Sequence, residues 1–291
     1  MAMEAELKFL LTQSTLPALD SMWQQLAVAV QKHESVQLLN AYYETDELWF
    51  RSHDAGLRTR LKKGQFEQTI KLSGQQHGGL HLRPEYNLPC ASVWPELSAF
   101  PAEIWPQGTD LALLQSQLKQ LFRTDFVRQS WLLTLADGST VEAVLDQGEV
   151  VSGDQSEAIF ELELELQQGD VKALFALSRQ LVQLLPLRLG WQSKAERGYR
   201  LVQKQPLVFI PADHSSTAAL LKSLQYHESY FLRSQDPQSW QVIGQSIKAL
   251  SLVSADFAAL PLPDPTQALS FFSSAAYNCA LLNCSESLFS A

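Results

Sequence analysis

Two segments of this chain place charged residues at every second position. The charged residues are Glu4, Glu6 and Lys8 in the first segment and Glu161, Glu163 and Glu165 in the second. The residues between them are apolar. A period of two is typical of a β-strand whose two faces differ, so each segment predicts a strand with one charged and one apolar face.

A third segment has the same pattern with the opposite charge, because Arg58, Arg60 and Lys62 share one face of a predicted strand. Like charges along a strand are unfavourable unless opposite charge lies against them. Facing acidic strands favour a hard divalent cation, and cationic strands in the same enclosure favour an anion. A polyphosphate chelated to Mg²⁺ or Mn²⁺ satisfies both demands.

The order and spacing of several short motifs resemble the CYTH family of triphosphate tunnel metalloenzymes, most closely its bacterial inorganic triphosphatase branch. The resemblance runs from Glu4 to about Leu201. The motifs are Glu4-x-Glu6-x-Lys8, Arg58-x-Arg60, Lys71, the later Glu-x-Glu strand, and residues 42–45, 78–86, 124–126, 145–149 and 193–199. The family's fold is a closed β-barrel around a charged tunnel.

This resemblance implies roles for individual residues. The family binds Mg²⁺ or Mn²⁺, and two ions are expected here. The expected metal ligands are Glu4, Glu6, Asp146, Glu161, Glu163 and Glu165, with the register of the last three open by one pair. The expected bases on the triphosphate are Lys8, Arg58, Arg60, Lys71, Arg128 and Lys194, which count as catalytic together with Glu4 and Glu6. Arg83 and Arg123 are further candidates for binding the substrate, with a surface ion pair as the alternative for each.

The predicted elements are eight strands with three helices between them. The strands cover residues 3–11, 36–50, 56–63, 66–73, 81–88, 125–136, 140–146 and 158–166. The first helix is capped by Ser14 or Thr15 and has apolar residues as far as Val30. The second helix runs from Asp110 to Phe122, and the third runs from Asp170 to just before Pro186. Strands with one charged face cannot bury that face in an ordinary core. We therefore expect an α+β fold with a closed eight-stranded antiparallel barrel whose charged faces line the tunnel.

The chain changes character at about Lys204, where Pro206 and Pro211 mark a linker. Two amphipathic helices are predicted over residues 216–233 and 239–254, and residues 225–228 resemble the start of a CHAD domain. We expect a CYTH domain over 1–203 and a short helical segment over 204–291. Few bases remain in that segment, so a helical hairpin that covers the barrel or forms a dimer contact is expected rather than a polyphosphate-binding domain.

Bulk properties exclude several classes of protein. The net charge of −9 argues against general nucleic-acid binding, and no apolar run reaches the ~20 residues of a membrane span. The 3 cysteines have no metal-ligand spacing, which favours a reducing cytoplasm. The six histidines show no metal spacing either, and no P-loop or nucleophile motif is present. A monomer and a homodimer both remain open.

The predicted reaction is metal-dependent hydrolysis of inorganic triphosphate to pyrophosphate and phosphate. Thiamine triphosphatase and class IV adenylate cyclase activity are alternatives on the same fold, although no residues are set aside for adenine and ribose. A non-catalytic module that binds polyphosphate or nucleotides is an alternative of another class. The large number of carboxylates disfavours it, since an anion binder has no need of them.

Overall fold

The structure is a computed structural model that describes residues 2–11, 19–204 and 207–290. Within these residues the main element is one antiparallel sheet whose strands are numbered β1 to β11 in chain order. They are Ala2–Leu10, Ala29–Lys32, Val36–Glu44, Gly56–Lys62, Gln65–Lys71, Gln75–His77, Leu80–Cys90, Lys119–Thr134, Thr140–Ser152, Gln155–Gln168 and Arg188–Gly190. The predicted caps Ser14 and Thr15 lie outside the described residues.

Eight of these strands close into a barrel. Their order is β1-β10-β9-β8-β3-β4-β5-β7, and β7 pairs back onto β1. Closure places Glu4 opposite Arg83 on one side of β1 and Glu6 opposite Glu165 on the other. Residues opposite each other on antiparallel strands point to the same face. The predicted closed eight-stranded barrel is therefore confirmed, and the two acidic strands are direct neighbours.

Three short strands lie outside this ring, and the sequence pattern predicted none of them. β2 pairs with β8, β6 pairs with β7, and β11 extends the sheet beside β1. Each has only 3 or 4 residues, too few for an alternating pattern to stand out from a loop.

Several predicted boundaries were wrong, and three of them change the type of element to which a residue was assigned. The strand predicted over 36–50 ends at Glu44, because a short helix over Trp49–Ser52 follows. The helix predicted to reach Phe122 ends at Ser116, and Phe122 belongs to β8. Val30, expected on the first helix, lies in β2.

The helices are numbered α1 to α10. They are Leu19–Leu26, Trp49–Ser52, Leu111–Ser116, Val171–Leu184, Lys194–Val202, Thr217–Ser234, Pro237–Leu250, Ala255–Ala258, Ala268–Phe272 and Ala275–Ser290. Asp110 and Asp170 accept backbone N–H hydrogen bonds at the starts of α3 and α4, as predicted. Among the described residues, every helix is too short or too polar to cross a bilayer.

The outward apolar faces of the strands pack beneath the helices. One buried cluster joins Phe9 and Leu162 of the barrel to Leu174 of α4, Leu224 of α6 and Leu281 of α10. The predicted helical hairpin corresponds to α6 and α7, which are consecutive in the chain and pack against each other. The sequence did not predict α10, which packs against α4 and completes this core.

Helix α5 lies across one end of the barrel. Ser193 and Glu196 form a capping box at its start. Its apolar side packs on inward-facing residues that include Tyr42, Phe122 and Phe126. A Cβ at Gly198 would lie 2.2 Å from a ring carbon of Phe122, so only glycine lets the helix approach this closely.

Candidate active site

The barrel interior gathers all of the predicted site residues except Arg123. Alternate residues on each strand of the ring point inward, as the cross-strand registers require. Arg123 lies on the outer face of β8, where its half-exposed side chain pairs with Asp125 at 2.7 Å. The structure therefore does not bring Arg123 to the site.

A buried ion-pair cluster occupies the part of the interior nearest α5. We use this name for the cations Lys8, Arg128, Lys194 and Arg197 with the carboxylates Asp146, Glu161 and Glu163. Lys8 Nζ lies 2.8 Å from Glu163 and 3.1 Å from Glu161. Burial alone would lower the pKa of Lys8, but these two carboxylates raise it well above its ordinary value, so Lys8 is charged.

Arg128 forms the most directional contact in the cluster. Its Nε and Nη2 atoms each lie 2.7 Å from one oxygen of Asp146, a bidentate arrangement, and Nη2 also reaches Glu163 at 3.1 Å. Lys194 Nζ is 2.8 Å from both carboxylates. Burial works against ionisation of Asp146, but Arg128 and Lys194 lower its pKa below the ordinary value. Each carboxylate of the cluster is therefore matched by cations of the chain.

Arg197 belongs to this cluster although sequence reasoning did not select it. It lies on α5 with Nη1 3.1 Å from Glu161 and Nε 2.8 Å from Glu157. A signal was available, because the sequence Ser193-x-x-Glu196 predicts a helix start. On that helix Arg197 follows Lys194 by three residues, which places both on one face.

A second part of the interior has an excess of negative charge. We call Glu4, Glu6 and Glu165 the acidic group. Lys71 Nζ lies 2.5 Å from Glu4, but Glu6 and Glu165 have no ion pair among the described residues. Burial, and then the neighbouring carboxylates Glu4 and Glu6, raise the pKa of Glu165 to about 7.

The acidic group fits a divalent cation in two respects. Carboxylate oxygens are the ligands that Mg²⁺ and Mn²⁺ prefer, and the raised pKa of Glu165 marks negative charge that the chain does not compensate. As the side chains stand, no three Asp, Glu, His or Cys residues among residues 2–11, 19–204 and 207–290 converge to hold a metal. Metal binding at this group therefore requires these carboxylates to reorient.

A third part of the interior has an excess of positive charge. Arg58 Nη2 lies 3.4 Å from Glu85, and Arg60 donates from Nε to Asn40 at 2.8 Å. No carboxylate among the described residues lies within ion-pair distance of Arg60. Burial, and then the neighbouring cations Arg58 and Arg128, lower its pKa to about 9. An anion placed here would relieve this repulsion.

The spacing of the histidines gave no reason to place His81 in the site, yet it lies inside the barrel opposite Glu6. Its Nδ1 is 3.2 Å from Arg83 Nη2. Because a guanidinium can only donate, Nδ1 accepts and Nε2 carries the ring hydrogen. Burial lowers the pKa of His81 to about 4, so the ring is neutral at pH 7. Nε2 is buried and has no hydrogen-bond partner among the described residues, which leaves one unused N–H donor in the interior.

Comparison with known proteins identifies the family of this barrel. The CYTH domain family matches residues 2–199, about two thirds of the chain. This chain belongs to the CYTH domain family.

One relative of this CYTH chain is an inorganic triphosphatase from Haemophilus influenzae, 34% identical over 174 residues. The match covers 60% of this chain and 48% of the relative. The chain therefore spans about half the length of the curated relative it matches.

Solved structures similar to the CYTH chain are more distant. A Hippeastrum protein, described as an adenylyl cyclase candidate with a dominant triphosphatase activity, is 12% identical with a TM-score of 0.47. That match covers 72% of this chain and 98% of the other. The PH1819 protein from Pyrococcus horikoshii is 17% identical with a TM-score of 0.43, over 69% of this chain and 99% of the other. The fold assignment rests on the strand pairing itself.

The interior charges all lie within the CYTH match. It begins before Glu4 and ends after Lys194 and Arg197, so it includes the acidic group, the buried ion-pair cluster and the arginines of β4. CYTH triphosphatases as a family depend on a metal. The helices from α6 onward lie beyond the match.

Proposed function

We propose that this protein hydrolyses inorganic triphosphate to pyrophosphate and phosphate with the help of Mg²⁺ or Mn²⁺. The observation that carries the proposal is the charge separation inside the closed barrel. Among the described residues, Glu6 and Glu165 have no ion pair, and they face the same interior as Arg60, a guanidinium that has none either. A metal-bound polyphosphate is complementary to both. The name of the Haemophilus influenzae relative supports the choice of inorganic triphosphate.

Arg58, Arg60 and Arg83 would bind the phosphate oxygens first, since their donors are the least occupied. A guanidinium offers two parallel hydrogen bonds to a phosphate, whereas a lysine acts as a point charge. Lys8, Lys71, Arg128 and Lys194 would bind further along the chain of phosphates. A triphosphate must compete for these four with the carboxylates that now hold them.

The acidic group would hold the metal, and Asp146, Glu161 and Glu163 are the other candidates because the bases bound to them would move to the substrate. A divalent ion supplies neutralisation of phosphate charge when it is bound. In the hydrolysis a water oxygen forms a bond to phosphorus as the bond to the bridging oxygen breaks. Such a reaction needs positioned charge rather than a covalent nucleophile, and these side chains provide it. The proposal includes two divalent ions in the reaction.

We further propose that residues 1–203 form the catalytic CYTH domain and residues 204–291 an accessory helical segment. The end of the family match at residue 199 supports this boundary. A cytoplasmic location is proposed from the 3 cysteines, all of which are unpaired. The negative net charge supports the absence of a nucleic-acid partner. The oligomeric state is a monomer or a homodimer.

The experiment that tests this function is phosphate release from tripolyphosphate, ATP and thiamine triphosphate in parallel, each with Mg²⁺, Mn²⁺ or EDTA. We expect release from tripolyphosphate that EDTA abolishes. Release from only an organic triphosphate would replace the substrate. Cyclic AMP formed from ATP would replace the reaction, and tight binding without turnover would indicate a non-catalytic module.

Glu4→Gln tests the acidic group with almost no change in shape. We expect kcat/KM for tripolyphosphate to fall by about 100-fold, because a charged group aimed at the reacting centre is lost. Glu149→Gln is the matched control, since Glu149 is exposed on the outer side of β9. Equal activity in the two variants would remove Glu4 from the site.

A further inference from the structure

A second charged site lies beside the barrel, outside the ring of eight strands. A cavity of about 220 Å³ is lined by the first residues of β10, the end of β1, the strand β11 and the helices α5 and α6. Three arginines line it, namely Arg188 from β11, Arg197 from α5 and Arg233 from α6. The C-terminal helical segment thus supplies one wall.

Positive charge exceeds negative charge in this cavity. Arg197, Arg200 and Arg233 all bind the single carboxylate of Glu157, with Arg197 Nε at 2.8 Å and Arg233 Nη2 at 3.2 Å. The second carboxylate of Arg197 is Glu161, which Lys8 and Lys194 already share. One carboxylate therefore serves three guanidinium groups.

The state of Arg233 agrees with this count. Burial lowers its pKa, Glu157 opposes that effect, and the neighbouring cations Arg200 and Arg197 lower it further. The net direction is downward, as expected for a cation without enough compensating charge. Its side chain is 45% exposed, so it can turn toward a ligand without leaving a buried charge behind.

The cavity also offers hydrogen-bond donors that the chain does not use. Arg188 contacts a carboxylate through Nη1 alone, at 2.9 Å from Glu228. Because a guanidinium has five N–H groups, Arg188 has further donors for a ligand. The hydroxyl of Ser229 accepts the indole N–H of Trp191 at 3.0 Å and keeps its own hydrogen to donate. Gln192 adds an amide.

We propose that this cavity binds inorganic phosphate or pyrophosphate, held by Arg188, Arg197 and Arg233 with Ser229 as a neutral donor. A tetrahedral oxyanion matches a set of converging N–H and O–H groups. The volume of about 220 Å³ holds one such anion, and it is below the ~300–1,000 Å³ of pockets that enclose drug-sized ligands. The site shares Arg197 with the buried ion-pair cluster but otherwise lies outside the tunnel, and it gives the C-terminal segment a ligand-binding role.

The test is calorimetric titration of the full chain with sodium phosphate and, separately, sodium pyrophosphate. EDTA is present and ionic strength is held constant with sodium chloride. The parent protein carries Arg60→Gln, which weakens anion binding in the tunnel. We expect one anion bound per chain. The two titrations show which of the two anions the cavity prefers. If neither anion binds the parent, the proposal is rejected.

Two variants with opposite expected effects make the test specific. Arg233→Gln should weaken binding at least about tenfold, equal to ~1.4 kcal/mol, because one charged hydrogen bond is lost. Glu157→Gln should strengthen binding several-fold, because the competing carboxylate becomes neutral. A group of ion pairs with a purely structural role would lose stability in both variants and show no such opposition.

Arg179→Gln is the matched control. Arg179 also forms an ion pair near the surface, with Glu286, but it does not line the cavity. The affinity of the Arg179→Gln variant for the anion should stay within about twofold of that of the parent protein. Thermal unfolding of each variant checks that it is folded, and Arg233→Gln remains decisive if Glu157→Gln does not fold. Unchanged affinity in Arg233→Gln overturns the proposal.

Tripolyphosphate turnover, measured separately with the wild type and Arg233→Gln, distinguishes this site from the proposed function. Absence of turnover together with anion binding in the cavity would reject the hydrolase and keep the site. Equal turnover in both proteins with no cavity binding would do the reverse.

Discussion

At the scale of single residues, the cations inside the barrel already have partners in the chain, with which the proposed triphosphate would have to compete. Lys8, Arg128 and Lys194 are bound to carboxylates of the chain at 2.7–3.1 Å. Removing one member of a buried ion pair leaves an uncompensated charge that costs several kcal/mol, whereas exchanging partners keeps every charge matched. A triphosphate and its metal together can replace both halves of these pairs.

His81 yields a prediction because its Nε2–H group is buried without a partner. His81→Leu should raise KM for tripolyphosphate by about tenfold, since one hydrogen bond to a charged phosphate oxygen is lost. His81→Gln keeps an N–H donor and should recover part of the affinity. The measurement is steady-state kinetics with each variant.

His33→Leu is the control for this prediction, because His33 is an exposed histidine outside the barrel interior. Equal KM values for His81→Leu and the wild type would show that the unused donor does not contact substrate. Recovery in His81→Gln separates a hydrogen-bonding role from a loss of packing.

The sequence predicted most residues that the structure brings together in the barrel interior, because charge at every second position is visible without a structure. Arg123 shows the limit of this reasoning. The predicted strand began at residue 125, whereas β8 begins at Lys119 and contains both Arg123 and Arg128. Two residues five positions apart on one strand face opposite sides. His81 was missed for another reason, because the burial of its ring and the absence of a partner for Nε2 arise only when the barrel closes around it.

At the scale of elements, α5 determines how one end of the barrel is closed. Gly198→Ala should destabilise the protein by about 1–3 kcal/mol, because the added methyl group meets the ring of Phe122. That ring cannot yield easily, since it stacks on Tyr42 at 4.5 Å and meets Tyr199 edge-on. Urea unfolding measures the change in the free energy of unfolding.

Gly244→Ala is a matched control on α7. Its added methyl group meets only the end of the Leu262 side chain at 2.9 Å, and alanine favours a helix by up to ~1 kcal/mol over glycine. We expect unchanged or increased stability. A similar loss in both variants would mean that the contact between α5 and Phe122 is not the cause.

His227 on α6 predicts a pH dependence of the helical segment. Its Nε2 donates to the carbonyl of Ile210 at 2.9 Å, and burial lowers its pKa below the ordinary value. The unfolded chain therefore binds a proton at a higher pH than the folded chain. Stability is complete above about pH 6.5 and falls as the pH drops below that value.

The measurement is the unfolding temperature of the wild type and of His227→Gln between pH 7.5 and pH 5.5. The wild type should lose more stability over this range than the variant. His214→Gln, at an exposed histidine of the preceding loop, should follow the wild type. Parallel curves for wild type and His227→Gln would contradict the prediction.

The elements that the sequence predicted well are those whose pattern repeats over many residues. Strands β8, β9 and β10 are longer than predicted, with 16, 13 and 14 residues, but their existence was clear from alternation. The short strands β2, β6 and β11 owe their structure to a neighbouring strand, so local sequence carries little signal for them. Helix α10 has a single charged residue, Glu286, so the pattern of charges that would mark an exposed face is weak.

At the scale of the whole molecule, the barrel and the C-terminal helices share one hydrophobic core. Leu281→Ala should destabilise the protein by about 2–5 kcal/mol, because Leu281 is fully buried. We also expect the wild type to unfold in one transition, because the barrel and the C-terminal helices share this core and lose it together. Far- and near-ultraviolet circular dichroism during urea unfolding should give coincident curves.

Leu252→Ala is the control, since Leu252 is 85% exposed and its loss should change stability by less than about 0.5 kcal/mol. Two separated transitions in the wild type would show that residues 204–291 fold as an independent unit. In that case the shared core would be an interface between two domains.

The closure of the barrel through β1 also bears on the order of folding. β1 pairs with β7 on one side and with β10 on the other. The residues of β10 follow their partners on β1 by more than 150 positions in the chain. During synthesis the first strand therefore emerges long before its second neighbour exists, and one of its edges stays unpaired until about residue 168 has left the ribosome. Such distant pairing slows folding, because a large loop must close before its contacts form. Glu6 and Lys8 come to lie opposite Glu165 and Glu163 only when β1 pairs with β10, so the charged interior forms as the ring itself is completed.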